Sequence, residues 1–166
     1  MAKRLINAAV FTMLYLGFLA WYDGWGSTAM TTAEVEGYLA NLSPDFEGEE
    51  FIESLRKLAA EDDGGEIFML NLNRYQYADG EEPEGIPAAY QAYGDSVIGT
   101  ILSNAGHPIY SGEVAGILRT ENHENRQWDE VILVRYRSLR DFLSMISSDA
   151  FQDAARTVSY THLRAH

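Results

Sequence analysis

The sequence contains no cysteine, and this absence excludes several kinds of chemistry. Without thiols the chain has no disulfide bond, no thiol nucleophile and no cysteine-ligated zinc site. Basic residues are also scarce: 12 Lys and Arg stand against 25 Asp and Glu, which gives a formal net charge of −13. Because nucleic-acid binding needs clustered Lys and Arg to neutralise phosphates, this charge argues against nucleic acid as a partner.

Signatures of several common enzyme classes are missing as well. The chain has no phosphate-binding glycine loop, no dinucleotide fingerprint and no nucleophile elbow. It does have enough apolar material to fold, since hydrophobic residues make up 46% and aromatic residues 12% of its 166 positions. This composition excludes a wholly disordered chain and is typical of one domain with an additional segment.

One long uncharged run stands near the N-terminus, from Leu5 to Tyr22. Its 18 residues are just long enough to cross a bilayer as a helix. Lys3 and Arg4 precede the run, and Asp23 is the first charge after it. The positive-inside rule then predicts a membrane anchor with its N-terminus in the cytoplasm and the rest of the chain outside, in a periplasmic or extracellular space. Aromatic residues that suit a membrane interface lie at Trp21, Tyr22 and Trp25.

Two other interpretations of residues 1–29 stay open. Ser27-Thr28-Ala29 has the small-x-small pattern of a signal-peptide cleavage site, so the run is alternatively a signal peptide and the product is secreted. A buried core helix is less favoured, because the run is apolar all round and has no amphipathic stripe. We favour the anchor, because the run is longer than a usual signal core and ends in bulky aromatic residues.

Residues 30–66 form a distinct acidic region with eleven Asp or Glu and two basic residues, Arg56 and Lys57. Thr31 and Glu34 make a capping box for a short helix, and a second amphipathic helix follows it. We expect a solvated helical spacer between the membrane and the domain. Calcium binding is the alternative, but the region lacks the alternating acidic pattern of a calcium loop.

Residues 67–157 are patterned as strands and helices in the order β-α-β-β-α, which predicts an α+β, ferredoxin-like domain. A fourth strand is expected next, to pair with the first. Glycines inside the second strand predict a bulge or a bend there. The predicted strands are Ile67–Tyr75, Ile109–Arg119 and Trp128–Tyr136, and the predicted helices are Ala88–Asn104, Leu139–Ile146 and a further turn from Asp149 to Ala155.

The first and third strands are apolar on both faces. In the first strand, Phe68, Leu70 and Leu72 point to one face, while Ile67 and Met69 point to the other. Helices of a ferredoxin-like domain cover one face of the sheet, so the second apolar face needs another cover. A second copy of the chain is the simplest cover. We therefore expect a homodimer, with Ile67 and Met69 in the exposed apolar patch.

Several short motifs in this region together resemble one family. The motifs are Met69 to Tyr75, Tyr90-x-x-Tyr93-Gly94, Ser111-Gly112, Trp128-Asp129-Glu130-Val131 with Arg135-Tyr136, and Ser138 to Phe142 with Asp149-x-Phe151-Gln152. In their order and spacing, the chain from Ile67 to about Arg156 is similar to the small ferredoxin-like domains called domain of unknown function 1330 (DUF1330). The resemblance implies a dimeric α+β barrel, in which two sheets face each other. The reaction of the family is not established.

The chain departs from the family pattern at two positions. The family usually has a Gly-Gly pair after the first helix, where this chain has Gly106-His107. It usually has proline after the tyrosine of the third strand, where this chain has Arg137. Neither change breaks the fold, but His107 alters the loop at the expected barrel mouth.

The last nine residues, Val158–His166, do not resemble the strand with which the family continues. They look like translated sequencing-adapter read-through, so we treat residues 158–166 as a non-native tail. His162 and His166 have the i, i+4 spacing of a zinc pair, and we discard them as ligands because they belong to this tail. The first strand is then expected to keep one edge largely unpaired.

Five residues are candidates for ligand binding. Asn71 and Asn73 lie on the strand face opposite the leucines, where polar groups in an apolar cavity either orient a ligand or satisfy the backbone. Arg74 either pairs with an anionic ligand or forms a surface salt bridge with the acidic loop that follows. Tyr90 and Tyr93, at i and i+3 of a helix, either contact the ligand or belong to the core.

His107 is the best candidate for a catalytic general base, because it is the one histidine at the edge of the predicted cavity. A lone loop histidine is nevertheless more often a bystander. His123 has acidic neighbours, but one short loop rarely supplies enough converging ligands, so we predict no metal site and no other cofactor. Trp128 and Met145 are expected in the core.

Three functional hypotheses follow. The first is a membrane-tethered DUF1330-like domain that binds a small, largely apolar molecule in a dimeric barrel. The second is an enzyme of the cofactor-independent monooxygenase or isomerase kind, by analogy with related barrels. The third is an interaction module without a ligand. Whether a closed pocket is faced by both Asn71 and His107 would discriminate among these three hypotheses. A filled interior would favour the interaction module.

Overall fold

The structure, a computed structural model, describes residues 2–43, 48–77, 85–115 and 128–163, which form helices and one β-sheet. The predicted α+β class is confirmed. Within these residues the helices are α1 (Ala2–Tyr22), α2 (Thr32–Leu39), α3 (Glu49–Ala60), α4 (Ala88–Ser103), α5 (Leu139–Ile146) and α6 (Asp149–Leu163), and the strands are β1 (Ile67–Asn73), β2 (Gly106–Glu113) and β3 (Glu130–Tyr136).

Capping side chains set the starts of two helices. At α2 the Thr31 side chain accepts a hydrogen bond from the main-chain N of Glu34, and the Glu34 carboxylate accepts one from the main-chain N of Thr31. At α5 the Ser138 hydroxyl accepts a hydrogen bond from the main-chain N of Asp141. Each such cap stabilises its helix by about 0.5–2 kcal/mol, and both were predicted from the sequence.

The sheet has the strand order β1-β3-β2, and β3 runs antiparallel to both neighbours. β1 and β2 are therefore parallel on either side of β3, with α4 as the connection. A register shift between Pro108 and Tyr110 shows that the bulge predicted in β2 lies at Ile109, ahead of the glycines. β2 starts earlier than predicted and ends at Glu113, and the predicted residues 116–119 lie outside the described part.

The centre of the hydrophobic core comes from α5. Leu139, Leu143 and Met145 are the largest fully buried side chains, and burying each contributes about 1.5–3 kcal/mol. Val134 and Tyr136 of β3 are buried in the same cluster, so α5 packs against the inner face of the sheet. The core position predicted for Met145 is confirmed, while Trp128 is half-buried.

The acidic helices α2 and α3 belong to this core. Val35 and Leu39 of α2 and Leu55 of α3 are buried in the same cluster as α5. Glu34 also pairs with Arg140 of α5 at 2.7 Å between carboxylate and guanidinium. The expectation of a solvated spacer over residues 30–66 is therefore wrong, because the apolar stripes of both helices pack on the domain while their acidic residues face outward.

The C-terminal helix α6 occupies the place in the sequence where a fourth strand was expected. It continues without a break from Asp149 to Leu163. Phe151 and Ala154 are buried, which attaches the helix to the core. Among the described residues β1 pairs with β3 alone, so the other edge of β1 has no strand partner.

The two faces of the sheet are the reverse of the predicted ones. Ile67 and Met69 pack against the core on the helix side, whereas Phe68, Leu70 and Leu72 are 50%, 60% and 41% exposed. Strand alternation separates the two sets of side chains, but it does not say which set the helices cover. The exposed set and its cross-strand neighbours are here called the open face: Phe68, Leu70, Leu72, Tyr110, Val131 and Leu133.

Candidate functional site

A cavity of about 520 Å³ lies between the inner face of the sheet and the helices that cover it. Its volume falls in the range of sites that hold small organic molecules, roughly 300–1,000 Å³. The walls are mostly apolar, as expected for a site that takes an apolar molecule. They include Met69, Ile132 and Val134 from the strands, and Val97, Ile98, Ile101, Phe142, Met145 and Phe151 from α4, α5 and α6.

Four of the five predicted ligand-binding residues line this cavity. Asn71 and Asn73 alternate along β1 and so lie on one face, and Tyr90 and Tyr93 are one turn apart on α4. The cavity differs in place from the predicted one, because these residues face the helices and not a second sheet. The two asparagines and the two tyrosines nevertheless line one cavity.

The polar groups of this wall already hold defined hydrogen bonds. The Asn71 amide donates to the main-chain oxygens of Met69 and Ile132, both at 3.4 Å. The Tyr90 hydroxyl donates to the main-chain oxygen of Arg74 at 2.9 Å. Since the Asn71 contacts are long, its amide could exchange them for a ligand at small cost.

Glu130 does not line the cavity, but it holds the side chain of Asn73, which does, and it was not among the predicted site residues. Its carboxylate accepts hydrogen bonds from the Asn73 amide at 3.0 Å and from the Ser111 hydroxyl at 3.2 Å. Burial and a hydrogen bond to Glu130 raise the pKa of Tyr75. The available signal was the strand alternation, which places Glu130 on the same face as Ile132.

Tyr90 of the cavity lining and its neighbour Tyr75 stay protonated at neutral pH. Their rings lie 5.0 Å apart between centroids. Burial and the nearby Asp129 charge raise the pKa of Tyr90, and the main-chain N of Tyr75 donates to Asp129 at 2.6 Å. Tyr75 and Tyr90 can therefore orient a polar group by hydrogen bonding, but their hydroxyls are poorly suited to act as bases.

Arg74 does not line the cavity. Its side chain is exposed and forms no ion pair within the part of the chain that the structure describes. The acidic loop proposed as its partner falls largely on residues 78–84, outside the described part. Only the main-chain oxygen of Arg74 contributes to the site, through the Tyr90 hydroxyl.

His107 lies elsewhere, beside the last turn of α1. Its Nε2 is 3.1 Å from the Tyr22 hydroxyl, and the two rings are 5.5 Å apart. A separate cavity of about 220 Å³ lies here, lined by Phe18, Trp21 and Tyr22 of α1 together with residues of the domain. Because His107 and Asn71 line different cavities, the described residues do not form the shared pocket that would support His107 as a general base acting beside Asn71.

Arg135 of β3 contacts the same end of α1 from the sheet. It is 5% exposed, forms an ion pair with Glu66, and donates to the main-chain oxygen of Tyr22 at 3.1 Å. Its guanidinium carbon is also 4.0 Å from the centre of the Tyr22 ring, a cation–π distance. These contacts could not be predicted from the sequence, because Glu66 and Tyr22 are 69 and 113 positions away from Arg135.

Metal ligands do not converge within the described residues: no group of three or more His, Asp or Glu is placed to hold an ion there. His123 and His166 lie outside the described part. His162 belongs to α6, but its side chain is not among those described.

Comparisons with known proteins find structural relatives of uncharacterised function. The chain is similar to the crystal structure of RPA0582, a protein of unknown function from Rhodopseudomonas palustris, with a TM-score of 0.54 and 26% identity over 68% of this chain and 83% of that one. It is also similar to methylated RPA0582, with a TM-score of 0.53 and 29% identity over 68% and 82% of the two chains. No family model matches the sequence. No curated protein matches it.

Proposed function

We propose that this chain is a membrane-tethered, DUF1330-like domain that binds one small, largely apolar molecule. The observation that carries the proposal is the cavity of about 520 Å³ with a polar end formed by Asn71, Asn73 and Tyr90. The site proposed here lies between the sheet and the helices, and not in the interior of a dimeric barrel.

The chemistry of the walls defines the class of ligand. Most of the lining is aliphatic or aromatic, so an apolar body is favoured by roughly 25 cal/mol for each Å² removed from water. The Asn71 and Asn73 amides and the Tyr90 hydroxyl suit a hydroxyl or carbonyl at one end of the molecule. The Glu130 carboxylate beside Asn73 disfavours an anionic ligand at this end.

A fluorescent apolar probe tests this proposal on the purified chain. We expect anilinonaphthalene sulfonamide, a neutral dye, to bind saturably at one site per chain with a blue-shifted emission, because most of the cavity lining is apolar. Competition by neutral apolar alcohols or ketones should release the dye. A non-saturating signal that rises with dye concentration would show surface adsorption and contradict the proposal.

The domain is further proposed to be a ferredoxin-like unit of a dimeric barrel, with a second copy on the open face. Two observations support this assembly. The strand order β1-β3-β2 and the antiparallel pairing agree with a ferredoxin-like sheet. The open face exposes Phe68, Leu70 and Tyr110 at 50%, 60% and 56%. A patch of this kind is unfavourable in water and is typical of an interface.

The tether is proposed to be α1. Its segment Lys3–Tyr22 is long and apolar enough to cross a membrane, and none of it is buried in the domain. The two departures from the family pattern also lie at its end: His107 contacts Tyr22, and Arg137 lies over the Trp21 ring at 5.5 Å. A helix held by the domain in this way suits an uncleaved anchor with the domain outside the cytoplasm.

Membrane extraction tests the tether. We expect the full chain to stay in the membrane fraction after alkaline carbonate, because a spanning helix is held by burial of its apolar side chains. Protease added to the outer side of the membrane, with the cytoplasm left enclosed, should digest the domain. Release of a soluble product that begins at Met30 would instead establish cleavage after Ala29 and a secreted protein.

A further inference from the structure

One stretch of the domain carries almost no charge in a strongly acidic chain. From Ser96 to Gly112 the sequence has no Asp, Glu, Lys or Arg, and His107 is its one titratable side chain apart from Tyr110. It is the longest such run after the N-terminal helix. It covers the second half of α4 and most of β2, and its turn, Leu102–His107, is here called the α4–β2 corner.

This corner lies directly beside the end of α1. Leu102 and Ala105 line the cavity of about 220 Å³ together with Phe18 and Trp21. Phe18 precedes Tyr22 by one turn, which is about 6 Å along the helix. The corner therefore lies beside α1 as far as one turn before its last residue, on the side that faces the membrane.

The length of α1 sets the depth of this contact. The uncharged run Leu5–Tyr22 extends about 27 Å as a helix, against a hydrocarbon thickness of about 30 Å. Because the uncharged helix is no longer than the hydrocarbon layer is thick, Phe18 and Trp21 must stay in or at the edge of the hydrocarbon. Leu102 lines the same cavity as these two residues and is 56% exposed.

We propose that the α4–β2 corner is a second membrane contact, with Leu102 inserted at the boundary between lipid headgroups and hydrocarbon. This inference rests on the proposed anchor. Inserting the corner removes an exposed leucine from water and desolvates no carboxylate or ammonium group. The nearby cations are already paired, Arg135 with Glu66 and Arg137 with Asp141, so a zwitterionic lipid surface is sufficient.

The contacts between α1 and the domain keep the corner at the membrane surface. The Tyr22 hydroxyl holds His107, and the buried Arg135 holds the Tyr22 ring and main-chain oxygen. The domain is thereby fixed in one orientation on the bilayer and does not swing on a free linker. The opposite end of α4, at Gln91, lies about 16 Å from Leu102 along the helix and is exposed to water.

Because the chain has no cysteine, single cysteine substitutions allow labelling at chosen positions. The full chain is reconstituted in phosphatidylcholine vesicles and labelled with the environment-sensitive dye NBD at Leu102→Cys. Ser103→Cys, at the next exposed position, gives a second reading should the first variant fold poorly. Gln91→Cys is the control on the same helix, and Val10→Cys reports insertion of α1 itself. Lipids with a nitroxide on the upper acyl chain serve as quenchers.

We expect blue-shifted emission and strong nitroxide quenching at Leu102 and Ser103, and water-like emission with little quenching at Gln91. Quenching at Val10 with water-like emission at both Leu102 and Ser103 would overturn the second contact and leave the anchor in place. Water-like emission at Val10 as well would overturn both the anchor and this inference. Equal quenching at Gln91 and Leu102 would contradict the orientation derived from the contacts of α1.

Discussion

Replacing Leu70 with aspartate should convert the proposed dimer into a monomer. Leu70 is 60% exposed at the middle of the open face, directly across from Leu133. A second copy that covers this face would bury the new carboxylate without a partner, at a cost of several kcal/mol for each copy. Light scattering of the full chain in mild detergent should show half the wild-type protein mass.

Gln91→Glu is the matched control for added charge, since Gln91 is exposed on α4 and outside the open face. It should remain a dimer. Met69, which was predicted to lie in the exposed patch, packs on the core, so a charge there would unfold the monomer. A wild-type chain that is monomeric at all accessible concentrations would contradict the dimeric barrel.

Filling the cavity from Gly94 should abolish binding of the apolar probe. Gly94 lines the cavity, and a Cβ built on it meets no atom within 4 Å. Phenylalanine at this position can therefore occupy space that a ligand would use without a clash at the helix. Helix propensity also favours the change by a few tenths of a kcal/mol or more, so the fold should survive. Fluorescence titration should show at least a tenfold weaker affinity.

Gly99→Phe is the matched control for this substitution. Gly99 lies on the same helix, also has open space around a built Cβ, and is not part of the cavity lining. Its affinity for the probe should be close to that of the unsubstituted chain. Equal loss in the two variants would indicate a general effect on α4, and equal retention would place the probe outside this cavity.

Local features of the fold were predictable where neighbouring residues in the sequence determine them. The capping residues Thr31 and Ser138 fixed the starts of α2 and α5, because a side-chain acceptor three residues from a free backbone N–H is a short-range device. Periodic apolar residues similarly predicted α4, with the correct start and with an end one residue beyond Ser103. β1 began where predicted and ended two residues early, as element ends usually do.

Features that depend on long-range packing were not predictable. The alternation in β1 separated Met69 from Leu70 correctly, but the choice of the covered face is made by helices distant in sequence. The acidic helix α3 was predicted to be solvated because its charged residues outnumber its buried ones. Leu55 is the one residue of α3 that is buried. The helical turn predicted from Asp149 to Ala155 continues as α6 to Leu163, and Phe151 and Ala154 bury its first turns in the core.

The candidate site shows the same division. Asn71 with Asn73, and Tyr90 with Tyr93, were paired correctly by their spacing within single elements, and they do line one cavity. His107 was assigned to the wrong surroundings, because its partner Tyr22 is 85 residues away and belongs to another segment. Short-range periodicity identifies which side chains share a face, whereas the contacts of that face depend on the whole fold.

Mass spectrometry of the purified chain tests the central claim most directly. The protein is extracted from membranes, denatured in organic solvent, and the released small molecules are compared among the unsubstituted chain, Gly94→Phe and Gly99→Phe. We expect one neutral, largely apolar compound in near-equimolar amount from the unsubstituted chain and from Gly99→Phe, and its absence from Gly94→Phe. Recovery of the same compounds in the same amounts from all three chains would contradict a ligand site in this cavity.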